Sequence, residues 1–365
     1  MSIQSTHRPG RPHPALSRRA LLAGTAAGAV GLSLAACGKG KKAGSQADSK
    51  TVTVVTHDSF HVSEGLQKAF TSETGYTLKV ATSGDAGALV NKLVLTKDAP
   101  LGDAVFGIDN TYATRALDQG VIDTSATVTL PKGAESYVVA DTPALAPIDV
   151  GDVCLNIDTG YFTGKGLTPP ATFEDLTKPE YKGLLVAINP TNSSPGMAWL
   201  LATIGHFGAG SFAGYWKQLM ANGARIAEDW SAAYETDFSG SGKGTYPIVV
   251  SYASSPSFTV SKDKSSSSTS ALLDTAFRQV EYAGVLKGAA NPEGGKAFVT
   301  WMLSKAVQED IPGQMYMYPV LPDAALPEAL TKFGPLSKSP VKVEPKEITT
   351  HREEWLNTWT EAVGK

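Results

Sequence analysis

The chain has 365 residues, of which 42% are hydrophobic and 18% are charged, and its formal net charge is −3. This composition is typical of an ordinary globular protein, and the length suits two lobes better than a single core. Nucleic acid is not an expected partner, because contact with a phosphate backbone needs a strongly basic surface.

The first 36 residues have the layout of an export signal. Two consecutive arginines, which fit either the twin-arginine or the general export route, precede an apolar run too short to span a membrane. The run ends in a Leu-Ala-Ala-Cys sequence that resembles the bacterial lipoprotein box, and its cysteine is Cys37. We therefore expect a leader over 1–36, a lipid on Cys37, a flexible tether over 37–50 and a location on the outer face of the membrane.

Removal of the leader leaves a mature chain that is more acidic. The leader contains four of the 32 basic residues and none of the 35 acidic ones, so the mature net charge is −7. This balance weakly favours a cationic ligand. With Cys37 lipidated, Cys154 has no partner for a disulfide within the chain, and its apolar surroundings predict a buried structural residue.

Strand and helix patterns alternate from residue 51 onward. The first part is predicted to contain strands at 51–55, 78–80 and 104–108, separated by helices at 66–74, 86–95 and 111–120. Later strands are predicted at 153–157, 184–188 and 248–252, later helices at 196–205, 291–303 and 350–363, and a polar surface loop at 262–270. The alternation indicates βαβ units, a parallel sheet and the α/β fold class.

Three aspartates follow the first three predicted strands. Asp58, Asp85 and Asp109 each stand where a helix is expected to begin, at the edge formed by the carboxyl ends of the strands. Ligands of α/β sheets bind at this edge. An aspartate at a helix start is also an ordinary N-cap, so each residue has two interpretations. In the cleft interpretation, the carboxylates neutralise a cationic ligand.

Other polar and aromatic side chains fall in loops rich in serine and glycine. Ser193 precedes a predicted helix, where it serves either as the cap or, with free backbone N–H groups, as an anion site. The aromatic loops contain Trp230, Tyr234, Tyr252 and Tyr316, and Ser254 lies beside them. Indole and phenol rings in such loops offer flat faces on which an aromatic or cationic ligand stacks.

The sequence contains no recognisable catalytic pattern. It has no Gly-x-Ser-x-Gly elbow, no lysine-bearing phosphate loop and no His-Glu-x-x-His motif. His57 and His61 are four residues apart, but the segment follows a strand and need not be helical, so we predict no metal site there. The expected protein is a binding protein without catalytic residues or a cofactor.

Five segments of the chain, taken in order and spacing, resemble the periplasmic thiamine-binding proteins of ABC importers. They are 55–60, 105–110, 229–234, 251–256 and 318–320. The resemblance covers nearly all of the mature chain. It implies a type II periplasmic-binding-protein fold, an α/β architecture in which two lobes joined by crossing strands close over a ligand cleft. The expected lobes are 51–145 with 257–318, and 146–256 with 319–365.

The same resemblance implies thiamine and its phosphate esters as ligands and an ABC permease as partner; we expect a monomer. Its aromatic contacts fall on Trp230 and Tyr252, its polar contacts on Asp58 and Asp85, and its phosphate position on Ser193. Tyr316 stands where the family commonly has Trp, which keeps a stacking face. His57 stands where a Tyr is common, which bears on affinity and on the preference among the esters. A ferric-ion-binding or polyamine-binding receptor of the same fold is the alternative.

Overall fold

The protein is described by a computed structural model that covers residues 50–364. The predicted leader, Cys37 and the predicted tether up to residue 49 lie outside the described residues. The strands are β1 (Thr51–Thr56), β2 (Thr77–Thr82), β3 (Ala104–Asp109), β4 (Leu145–Asp158), β5 (Leu185–Ile188), β6 (Arg225–Ala227), β7 (Ile248–Tyr252), β8 (Thr269–Val285) and β9 (Tyr318–Pro319).

The helices of the described chain surround the sheet that these strands form. They are α1 (Glu64–Thr74), α2 (Ala86–Leu95), α3 (Ala113–Asp118), α4 (Thr159–Lys165), α5 (Ser194–Phe207), α6 (Phe212–Ala221), α7 (Pro292–Met302), α8 (Lys305–Gln314), α9 (Glu328–Phe333) and α10 (Pro345–Val363). None of these helices is both long enough and apolar enough to cross a lipid bilayer.

The strands of the described chain form one mixed sheet in the order β2-β1-β3-β8-β4-β7-β5-β6, with β9 paired to β4. β1 is parallel to β2 and β3, and β5 is parallel to β6 and β7. Between these two parallel groups run β4 and β8, which are antiparallel to each other and to their outer neighbours. The predicted α/β class is confirmed, with two long antiparallel strands joining the two parallel groups.

The first parallel group forms where the sequence predicts it. β1 is rich in β-branched residues, and every residue of β3 is buried, as expected of a strand covered on both faces. α2 has the predicted bounds, and Asp85 caps it. α1 ends at Gly75, whose φ of 74° is the left-handed conformation that glycine adopts without strain.

The longest strand is absent from the prediction. β8 spans 17 residues, and its first two residues fall in the segment predicted to be a loop. Polar residues such as Gln279 and Glu281 interrupt its apolar alternation, which is the signal that indicates a half-buried strand. β4 is also longer than the predicted 153–157. The prediction missed its first part because Asp149 and Asp152 interrupt the apolar run there.

The buried core includes three tryptophans that hold helices together. Trp199 of α5, Trp216 of α6 and Trp359 of α10 meet edge to face, with ring centroids 5.2 and 5.7 Å apart. Cys154 of β4 is fully buried, as predicted. Burial raises the pKa of its thiol, so the sulfur stays protonated and takes a structural role.

Candidate functional site

A cleft opens at the carboxyl ends of β1 and β7, next to the first turns of α2 and α5 and above the middle of β8. Its volume is about 380 Å³, within the range of pockets for small molecules. Of the predicted ligand residues, those that line the cleft are Asp58, Asp85, Trp230, Tyr252 and Tyr316. Those that are buried outside the lining are Asp109, Ser193, Tyr234 and Ser254.

Asp85 caps α2 and also lines the cleft. Its Oδ1 accepts a hydrogen bond from the backbone N–H of Ala86 at 2.6 Å and from that of Ser194 at 3.3 Å. The carboxylate therefore joins the first turn of α2 to the first turn of α5. Burial raises the pKa of Asp85, although the hydrogen bonds that it accepts act in the opposite direction.

At the start of α5, one serine caps the helix and the next one faces the cleft. Ser193 Oγ accepts a hydrogen bond from the backbone N–H of Gly196 at 3.4 Å, and the side chain is fully buried. Ser194 lines the cleft, and its buried Oγ has no hydrogen-bond partner within the described chain. The hydroxyl available to an anion at this helix start is therefore that of Ser194, one residue beyond the predicted one.

The other two predicted aspartates have different surroundings. Asp58 is exposed at the rim, where its Oδ1 accepts from the N–H of Gly84 at 3.0 Å. The prediction that it begins a helix is wrong, because α1 starts only at Glu64. Asp109 is fully buried, and its Oδ1 accepts from the N–H and the hydroxyl of Thr111 at 2.7 and 2.6 Å. Burial raises the pKa of Asp109 to about 7.

Two aromatic side chains form one wall of the cleft. The indole of Trp230 stacks on the buried ring of Tyr234, with centroids 5.1 Å apart and 12° between the ring planes. The indole Nε1 donates to Ser251 Oγ at 3.0 Å, which fixes the ring orientation. Tyr252 lies nearby and its hydroxyl donates to Gln279 Oε1 at 3.3 Å. Tyr234 thus supports Trp230 from behind.

Tyr316 enters the cleft from a strained turn. Its φ is 64°, in the left-handed region that a bulky side chain rarely occupies. The neighbouring Met315 and Met317 also line the cleft, and the Tyr316 ring contacts that of Phe258. Backbone strain of this kind concentrates at ligand sites, where the surrounding structure maintains it.

The floor of the cleft is polar, and the sequence analysis missed its main residue. Glu281 of β8 lines the cleft, and its Oε1 lies 3.5 Å from His57 Nε2. The backbone N–H of Ser59 donates to His57 Nδ1 at 3.1 Å, so Nε2 carries the proton and faces the carboxylate. Burial is the largest single influence and favours the neutral imidazole, but the charge and hydrogen bond of Glu281, together with the charges of Asp85 and Asp58, outweigh it and raise the pKa of His57.

These features define a class of protein. A cleft lined by aromatic rings and carboxylates opens between two parallel groups of strands, which is the arrangement of a receptor that encloses a small ligand in an α/β body. Residues 103–334 match the family of bacterial extracellular solute-binding proteins. The chain belongs to that family, so it is an extracytoplasmic binding protein rather than an enzyme.

Individual relatives span most of the chain. The thiamine-binding periplasmic protein of Salmonella typhimurium is 27% identical over 326 residues, which are 86% of this chain and 94% of that protein. A solved periplasmic thiamin binding protein superposes with a TM-score of 0.75 at 25% identity and covers 86% of this chain and 96% of its own. A ferric binding protein from Campylobacter jejuni has a TM-score of 0.66 at 16% identity over 85% of this chain and 99% of its own, a likeness of fold alone. The fold is therefore the type II periplasmic-binding-protein fold.

Proposed function

We propose that this chain is the substrate-binding lipoprotein of an ABC importer and that it captures thiamine and its phosphate esters. The observation that carries the proposal is the composition of the cleft. The rings of Trp230, Tyr252 and Tyr316 and the carboxyl groups of Asp85 and Glu281 line the same cleft. The names of relatives that span 86% of the chain point to the same ligand.

Thiamine has the chemistry that such a cleft receives. It consists of two aromatic rings, and the thiazolium ring carries a permanent positive charge. Aromatic faces bind flat and cationic rings, and a carboxylate shielded from water neutralises the charge more strongly than one at the surface. No lysine or arginine is among the described residues that line the cleft, so His57 is the one lining side chain there that can carry a positive charge.

The first turn of α5 supplies a place for an ester phosphate. Backbone N–H groups and the Ser194 hydroxyl lie at the positive end of a 14-residue helix. Asp85 already accepts a hydrogen bond from this turn, so a phosphate has to share it with a carboxylate. Replacing the charge, in Asp85→Asn, is therefore expected to improve binding of the esters relative to thiamine.

The anchor and the transport partner belong to the same proposal. A leader over 1–36 and a lipid on Cys37 place the receptor on the outer face of the cell membrane, and the tether lets it reach the permease. Membership of the extracellular solute-binding family supports the location. Delivery to an ABC permease as a monomer follows from the class of importer that such receptors serve.

Calorimetric titration of the refolded mature chain with thiamine, thiamine monophosphate and thiamine diphosphate tests the proposal. Refolding removes ligand carried over from the cell. Sub-micromolar binding of at least one of the three supports the thiamine receptor. No binding of any, with binding of spermidine or with a visible absorption band on addition of ferric ion, overturns it in favour of a polyamine or iron receptor.

A further inference from the structure

Glu281 stands in the middle of a row of three buried acids. In the sheet it lies directly opposite Asp109 of β3 on one side and Asp149 of β4 on the other. The exposed fractions of Asp109, Glu281 and Asp149 are 0%, 5% and 0%. Residues directly opposite each other on neighbouring strands point to the same face of the sheet, so the three carboxyl groups are neighbours. We call them the acid row, and of the three only Glu281 lines the cleft.

Apart from Asp109 Oδ1, which accepts from the N–H and hydroxyl of Thr111 and from the N–H of Tyr112, the acid row is poor in hydrogen-bond donors. Within the described chain, no donor reaches either oxygen of Asp149 or the Oδ2 of Asp109. Glu281 Oε1 has two distant partners, Gln279 Nε2 at 3.3 Å and His57 Nε2 at 3.5 Å. Three buried carboxylates with so few donors cannot all be ionised, so the row holds protons.

The pKa shifts agree with this geometry. Burial raises the pKa of Asp149 well above its ordinary value, and the charge of Glu281 raises it further. Burial also raises the pKa of Asp109, and Glu281 adds to that shift. A carboxyl group beside a second buried carboxylate keeps its proton because two like charges cannot coexist at that distance.

The groups around the acid row supply little positive charge. The groups that interact with members of the row are the imidazole of His57 and the hydroxyls of Tyr252, Tyr112 and Tyr282, while Asp58 and Asp85 act on His57. Arg352 of α10 acts on Asp109 but does not line the cleft. Before a cationic ligand binds, the compensating charge next to Glu281 is therefore a proton, on the row or on the imidazole.

We propose, resting on the proposed function, that Glu281 selects a cationic ligand and that the acid row, together with His57, releases a proton when the cation binds. The thiazolium brings a fixed positive charge close to Glu281. This charge compensates the carboxylate in place of the proton. A nearby cation lowers the proton affinity of carboxyl groups and of imidazole alike, so the proton leaves to solvent. Asp149 acts through Glu281 and is a positioning residue.

Calorimetry of the mature chain with thiamine measures the proton directly. Titrations at one pH near 6.5, in two buffers of different ionisation enthalpy, give the number of protons released on binding. We expect a net release of up to one proton. By linkage, thiamine affinity then rises with pH, by up to about tenfold per pH unit across the range in which the proton is lost.

Three variants locate the source of the effect. Glu281→Gln is expected to weaken thiamine binding at least about tenfold, the free-energy scale of one lost charge pair, and to abolish proton release. Asp149→Asn replaces this carboxyl group with an amide of the same shape that does not titrate, and it is expected to bind with a smaller release and a flatter pH profile. Glu293→Gln makes the same chemical change on the exposed face of α7 and serves as the matched control, with affinity and release as in the parent chain.

A neutral ligand separates charge from shape. A thiamine analogue in which a thiophene ring replaces the thiazolium keeps both ring faces but carries no fixed charge. We expect it to bind the parent chain without proton release and to bind Glu281→Gln as well as it binds the parent. If a variant does not fold, comparing the proton release of thiamine and of the neutral analogue in the parent chain still tests the role of the acid row.

The outcomes distinguish the two proposals. Absence of binding of thiamine and of both its phosphate esters by the parent chain overturns the proposed function. Thiamine binding without proton release, equal release with the neutral analogue, or unchanged affinity and release in folded Glu281→Gln overturns the role of the acid row and leaves the receptor in place.

Discussion

Trp230 lines the cleft, and Tyr234, which does not, packs against its indole and holds it in place. Tyr234 is buried, stacks within 12° of parallel on the indole and restricts its motion. Ser251 fixes the other edge of the same indole through a hydrogen bond. A stacking surface held in this way loses little conformational freedom on binding, which is how a preorganised site gains affinity.

Removal of the Tyr252 ring tests stacking at the residue scale. We expect Tyr252→Ala to weaken thiamine binding by more than about 1 kcal/mol, because a base stacked on an aromatic side chain contributes about 1–3 kcal/mol. Tyr252→Phe keeps the ring and loses only the hydrogen bond to Gln279, so its loss is expected to be smaller. Calorimetric titration of both variants measures the difference, and equal affinities for Tyr252→Ala and the parent chain would remove this residue from the site.

Asp109 makes the folded chain less stable as pH rises. Its pKa is raised from 3.8 to about 7 in the folded state, so between these values the folded chain holds a proton that the unfolded chain has lost. Stability therefore falls as pH increases across this window. Asp109→Asn keeps an oxygen for Thr111 and removes the titration.

Thermal unfolding at pH 5 and pH 8 checks the sign of this effect. The parent chain is expected to lose more of its Tm between the two values than Asp109→Asn does, by roughly 2–5 °C. Asp98→Asn removes an exposed acid from the α2–β3 loop and serves as the control. If the Tm of Asp109→Asn falls as much between pH 5 and pH 8 as that of the parent chain, the pH effect does not come from Asp109.

The residues that sequence reasoning found share one property. Tyr252 is the last residue of β7, and Asp85 caps α2 in the loop that follows β2, so the edge rule for α/β sheets places both near a ligand. Glu281 has no such signal, because an acid inside a central strand resembles a break in the strand. Ser194 was missed by one residue, because capping and exposure at a helix start depend on backbone direction, which the sequence does not display.

At the scale of elements, the first turn of α2 packs directly on the loop between β5 and α5. The N–H of Ala88 donates to the carbonyl of Asn192 at 3.2 Å, and the Tyr112 hydroxyl donates to the carbonyl of Pro190 at 3.1 Å. These bonds join the two parallel groups beside the cleft. The close approach requires a glycine, since a Cβ at Gly87 would lie 2.5 Å from the Asn192 carbonyl oxygen.

A methyl group at Gly87 is therefore expected to hold the cleft apart. Gly87→Ala is predicted to weaken ligand binding at least about fivefold, or about 1 kcal/mol, although residue 87 does not line the cleft. Gly65→Ala, at a helical position of α1 with no atom within 4 Å of the new methyl group, is the matched control. Small-angle scattering of the liganded proteins is expected to show a larger radius of gyration for Gly87→Ala only, and an identical radius and affinity would contradict the steric argument.

Elements were predictable where their own residues determine them. α2 was found because its apolar residues repeat with the helical period, and β1 and β3 because they are short β-branched or apolar runs. β8 was not found because its local pattern does not indicate a strand: the charged Arg278 is followed by the buried polar residue Gln279. Its pairing with β3 and β4 determines its conformation. Pairing between distant segments is a property of the assembled sheet.

For the whole molecule, the expected anchor is testable without any ligand. Cys37→Ser removes the sulfur that lipidation needs, so the variant is expected in the soluble fraction of cells that retain the parent chain in the membrane fraction. Cys154→Ser changes the other cysteine, which is buried, and is expected to leave the distribution unchanged. Equal partition of Cys37→Ser and the parent chain would show that no lipid is attached there.

The course of β8 has a consequence for the newly made polypeptide. Ala104 of β3 pairs with Val285, and Leu145 of β4 pairs with Gly284, so both strands keep an open edge until the chain has been synthesised almost to residue 285. Contacts between such distant segments form late, because a long loop has to close before any of them is made. A nascent polypeptide shorter than about 285 residues therefore lacks the strand that joins its two parallel groups, and the central sheet closes only after β8 has been synthesised.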